Sequence, residues 1–89
     1  MSRFTDPSLY TEERREERMR LARKRAEGIA LHTLGRDSMD SLTPEERDLA
    51  GLIMADVISG MNFCRTADGG LIDFEQMDLE RGIVIRYDE

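Results

Sequence analysis

Apolar residues recur at helical spacing in two stretches of the chain and at strand spacing in a third. Met19, Ala22, Ala26, Ile29, Ala30 and Thr33 fall on one face of a helical wheel. That face is narrow and rich in alanine, which lets a second element approach closely. Residues 11–18, Thr-Glu-Glu-Arg-Arg-Glu-Glu-Arg, have no apolar face at all. Opposite the alanines, Arg14, Arg18, Arg25 and His32 line up with Leu21 and Gly28 beside them. Asp6 followed by Pro7 reads as an N-cap and first helical position, because proline lacks the N–H that would be orphaned there. Gly35 stands where a left-handed C-terminal cap belongs. The pattern predicts one long helix from Pro7 to Leu34, with Glu16 and Glu17 supporting Arg20 at i,i+4 and i,i+3.

A second helix opens at Thr43-Pro44-Glu45-Glu46, where Thr43 and Glu46 have the spacing of a capping box. It runs to about Ser59, with Gly60 as the stop. Leu49, Ala50, Ile53, Met54 and Val57 share an arc of about 140°, with Arg47, Asp48, Ala55 and Ser59 opposite. Asp56 projects between Leu49 and Leu52, as a boundary carboxylate. After Gly60 the period shortens. Residues 63–66 alternate weakly, Ala67-Asp68-Gly69-Gly70 is turn chemistry, and residues 71–74 are mostly apolar. Ile83-Val84-Ile85-Arg86-Tyr87 is β-branched and aromatic and reads as the clearest strand. Residues 78–82 form the connection before it, as a short helical turn. The expected fold class is α+β: a long N-terminal helix, a second amphipathic helix, and a small antiparallel sheet of two or three strands at the C-terminus.

Length sharpens this picture. A helix of 28 residues spans about 42 Å, whereas a compact chain of 89 residues is roughly 30 Å across. The expectation is a single small domain whose first 35 residues project as an Arg-rich helix from a helix-plus-sheet body, residues 36–89. Charge divides at the same place. Residues 1–36 carry nine Lys and Arg against six Asp and Glu; residues 37–89 carry four against thirteen. The whole chain has a formal net charge of −6. Twelve of the thirteen bases are arginine, which forks onto carboxylates and phosphates as lysine does not; a high-GC genome would give the same bias.

Several chemistries are set aside by the residues themselves. No stretch approaches the apolar length of a membrane span. One cysteine, Cys64, makes no internal disulfide and points to a reducing, cytoplasmic compartment. One histidine and one cysteine do not make a structural zinc site, and His32 reads as a solvated helix residue rather than a catalytic base. Residues 68–76 look like the second half of a calcium-binding loop. In that register Arg65, Ala67 and Gly69 take the carboxylate positions and Gln76 replaces the bidentate glutamate, so calcium is not expected. Gly69-Gly70 lacks the lysine and hydroxyl of a phosphate loop. The expected cofactor list is empty.

The reading that remains is a non-enzymatic macromolecule-binding protein acting through charged surfaces: an adaptor, assembly factor or occupancy inhibitor. Phage-encoded inhibitors and antitoxins share this size and acidity, by composition alone. Arg14, Arg18 and Arg25 are the expected contacts on the basic helix, and Asp73, Glu75, Asp78 and Glu80 on the acidic body. The expected partner is another protein or a second copy of the chain. Nucleic acid is the alternative, through the basic helix: residues 14–25 hold seven bases. Glu12, Glu13, Glu16 and Glu17 are interleaved nearby, and no aromatic residue is at hand for stacking.

Overall fold

A computed structural model describes residues 3–62 and 65–88. Among them are three α-helices: α1 (Arg15–Leu34), α2 (Pro44–Met61) and α3 (Phe74–Glu80). Short 3-10 turns occupy Pro7–Tyr10, Glu12–Arg14 and Met39–Ser41. α1 and α2 pack along each other and form the frame; α3 and both chain ends close over one end of it.

Local chemistry explains the helix ends. Thr43 accepts the Glu46 N–H while the Glu46 carboxylate accepts the Thr43 N–H, so the expected capping box is present. Gly35 takes the left-handed conformation, φ 67°, and returns its N–H to the carbonyls of Leu31 and His32. Asp6 caps as expected, accepting the Ser8 N–H. What it caps, however, is only a 3-10 turn. Thr11 is extended, with φ −81° and ψ 160°, and breaks the expected long helix. The break lets residues 4–10 fold back: Phe4 and Leu9 are buried, and Tyr10 donates its hydroxyl to the Phe4 carbonyl. α1 is therefore 20 residues long, about 30 Å, within a molecule measuring 40 × 28 × 23 Å.

The α+β expectation is overturned. No strand or sheet forms among the described residues; one isolated antiparallel bridge joins Arg65 to Leu71. It closes the expected Gly-Gly turn, where Thr66 donates its N–H to Gly70 and Gly69 sits at φ 89°. Phe63 and Cys64, the start of the first expected strand, lie outside the described residues. Residues 71–74 do not continue as a strand because Asp73 accepts the Gln76 N–H and starts α3 instead. Ile83–Tyr87 alternates buried and exposed side chains as an extended segment does, but has no partner strand among the described residues. It lies along α1 as a strap, with Ile83 and Tyr87 buried and Ile85 against Gly28. A Cβ on Gly28 would come within 2.8 Å of Ile85 Cγ1, so this close approach depends on glycine.

Two clusters make the interior. Phe4, Leu9, Leu21, Phe74 and Tyr87 form one, near the N-terminal half of α1. Ala30, Leu42 and Ala50 form the other, flanked by Leu31, Leu34, Met39, Ile53 and Met54. The alanine face of α1 thus meets α2, as its narrowness implies. The opposite face, which carries Leu21, Arg25 and Gly28, is covered by α3 and the strap.

Candidate functional site

The charged residues singled out in the sequence do not converge on one surface. Arg14 is exposed, just ahead of α1. Arg18 is half-buried: its guanidinium donates to the carbonyls of Leu9 and Thr11 and lies 5.9 Å from the centre of the Tyr10 ring. Arg25 and Asp78, from elements 53 residues apart, are buried together at 5% and 2% exposure. They form a bidentate pair, Nε to Oδ2 and Nη2 to Oδ1 at 2.8 Å each, and Arg25 also stacks 4.5 Å over Phe74. As contact residues for a partner, Arg25 and Asp78 are inaccessible. Each is the other's partner, because the low-dielectric interior leaves neither charge tolerable alone.

The other acids likewise have internal tasks. Asp73 caps α3. Glu75 accepts the Arg3 N–H and lies 3.6 Å from the Arg3 guanidinium. Glu80 is exposed and accepts from the Gln76 amide. Arg3 also reaches Asp88, and Arg36 pairs with Glu46. Much of the charge split along the chain is thus complementarity between the N-terminal and C-terminal portions of one molecule.

Of the groups with perturbed ionisation, two bear on the packing described above. The Arg36 guanidinium, helped by the Thr43 N–H, holds the Glu46 carboxyl below its ordinary value. Burial, and then the charge of Asp78, pushes the Tyr87 phenol above its ordinary value. The Tyr87 hydroxyl is buried without a hydrogen-bond partner.

The surface that these pairings leave open lies on α2. Leu52 is 70% exposed and Leu49 51% exposed, one turn apart at mid-helix. Glu45, Asp48 and Asp56 are exposed on the same outward face, since positions three, four and seven apart stack on a helix. Arg47 is exposed next to Asp48, and Arg36 and Glu46 neutralise each other at the helix start. The face is therefore apolar at its centre and acidic at its rim. Leu49 lies at the edge of the expected core arc, and Leu52 lies outside it. That second leucine is the sequence signal that marks this face; the acids chosen from the sequence stand elsewhere.

A groove of about 480 Å³ runs between α1 and the strap, with Lys24, Glu27, His32, Arg36 and Asp37 on its α1 side. No set of three or more His, Cys, Asp or Glu that would hold a metal occurs among the described residues. Nor is any helix there long and apolar enough to cross a membrane. Compared with protein-family models, curated proteins and solved structures, the chain matches none.

Proposed function

We propose that this chain is a non-enzymatic protein-binding module whose contact face is the outward side of α2, and that its partner presents a basic amphipathic segment. The observation that carries this reading is Leu52, 70% exposed in the middle of a well-capped helix and ringed by Glu45, Asp48 and Asp56. A leucine pair in water gives up the free energy that burial would supply, about 25 cal/mol per Å² of apolar area. A partner that covers both leucines recovers it. Surrounding carboxylates favour lysine or arginine at the edge of that partner and raise its association rate. Occupancy of this kind suits an adaptor or an inhibitor.

The contact lies on α2 rather than on the Arg-rich helix, since Arg18, Arg20 and Arg25 already bond within the chain. The same engagement weakens the nucleic-acid alternative. The test is affinity capture with the intact chain, followed by binding measurements on the purified partner. Leu52→Lys is expected to weaken binding by at least about tenfold, as for a central apolar anchor, and Arg14→Glu to leave it nearly unchanged. A partner whose affinity follows Arg14 and ignores Leu52 refutes this assignment.

A further inference from the structure

The strap, Ile83–Tyr87, has the strongest strand composition in the chain and alternates inward and outward side chains as an extended segment does, yet it pairs with no strand among the described residues. Its inner side chains are occupied: Ile83 and Tyr87 are buried and Ile85 rests on Gly28. Its ends are tied, by the Ile83 N–H to the Asp78 carbonyl and by Arg20 to the Tyr87 carbonyl. Between these anchors no hydrogen bond among the described residues uses the N–H or C=O of Val84 or Ile85, and Val84 is 77% exposed. Successive residues of an extended chain aim these groups at opposite edges, so each edge of the strap offers an unfilled donor and acceptor. Grooves border both sides: the one of about 480 Å³ over α1, and a smaller one of about 90 Å³ beside α3. A preformed edge of this kind is a template for another strand.

We propose that the strap is a self-association edge, on which the same segment of a second copy pairs antiparallel across a two-fold axis. A second copy is favoured over an unrelated peptide because the segment is self-complementary. With Val84 opposite its counterpart, the two residues exchange both N–H···O=C bonds, using groups left unfilled within one molecule. Ile83 then faces Ile85 of the other copy, which places four isoleucines side by side on the inner face. Arg86 falls opposite Gly82, so no like charges oppose each other. The larger groove also suits this register. Tyr87 lies near Leu21 and Ile85 near Gly28, so the strap runs antiparallel to α1 and its Gly82 end points toward the C-terminus of α1. An incoming antiparallel strand brings its Arg86 to that end, where Asp37 lines the groove beside Arg36, whose charge is already paired with Glu46. This contact does not use α2 and leaves the proposed protein-binding face open.

The test is sedimentation equilibrium of the intact chain over a wide concentration range, with amide hydrogen exchange followed at Val84. Expected is a monomer–dimer equilibrium in which this amide becomes protected only as the dimer forms, while the Ile85 amide, on the other edge, does not change. Val84→Pro, which removes the bridging donor from an exposed site, should weaken dimerisation by at least tenfold while the circular-dichroism helix signal is retained. Leu52→Glu should leave dimerisation unchanged. A monomer at every concentration overturns the proposal, as does a dimer in which the Val84 amide exchanges freely. A dimer lost in Leu52→Glu but kept in Val84→Pro shows that copies meet through α2, which overturns the strap assignment while leaving α2 an association face.

Discussion

Near the N-terminal half of α1 the interior is aromatic and encloses an ion pair, whereas near its C-terminal half it is made of alanines and leucines. In the first region Phe4 meets Phe74 and Tyr87 edge-on, at 5.5 and 5.7 Å between ring centres, and Arg25 forks onto Asp78 beneath them. Four separate pieces of chain converge there: the N-terminal turn, α1, α3 and the strap. In the second region Ala30 and Ala50, both with no exposed surface, bring two helix backbones together. Large rings and a dry charge pair join elements that share no regular interface. Small side chains suffice where two helices already run side by side. The first region should be sensitive to chemistry, and the second to volume.

Breaking the ion pair is the largest expected effect. Asp78→Ala leaves the Arg25 charge buried without its partner and is expected to lose about 3–5 kcal/mol in urea unfolding. The double change Arg25→Met with Asp78→Leu should recover most of that loss, because the pair's desolvation penalty disappears with it. If the double variant is as unstable as the single one, the pair adds more than mutual compensation. In the alanine seam the expected ranking is by size. Ala30→Leu forces apart helices that touch there and should destabilise by about 1–3 kcal/mol, with no charge change able to restore it.

A smaller effect of opposite sign is expected at Tyr87. Its buried hydroxyl has no partner, so Tyr87→Phe should stabilise by about 1 kcal/mol. The phenol's folded-state value is raised above 10.0, so this group's contribution is intact below that pH. It declines as alkali ionises the unfolded chain more readily than the folded one. The phenylalanine variant should show a flatter alkaline stability profile. The smallest expected effect belongs to the second region, at the capping box. Glu46 is held below 4.5 by Arg36, so its contribution is present above that pH and is lost as acid protonates it. Arg36→Gln should reduce the acid-dependent part of the α2 helix signal, followed by circular dichroism.

Much of the framework was legible because its signals are local. The Thr43–Glu46 box, the Gly35 cap and the alanine spacing each act within one or two turns, and they appear as read. The same kind of signal was present for α3, in Asp73 followed three residues later by Gln76. It competes with residues 71–74, whose apolar run also reads as a short strand. The candidate site was far less legible. Arg25 and Asp78 were each recognised as charged groups suited to forked pairing, but nothing in either neighbourhood says that they meet. The contact face on α2 left one trace, Leu52 outside the core arc.

By itself the sequence determined where α1 ends and where α2 begins, which faces of them are small or apolar, and that opposite charges are segregated along the chain. Capping, helical period and net charge are properties of neighbouring residues and survive in any fold. Tertiary structure alone decided that Thr11 bends the N-terminus back, that Ile83–Tyr87 is a strap rather than a sheet strand, and that Arg25 and Asp78 spend their charge on each other. Those outcomes depend on which distant surface comes within a few ångströms. Strand composition becomes a sheet only where a second strand lies alongside, and within this chain that place is taken by α1.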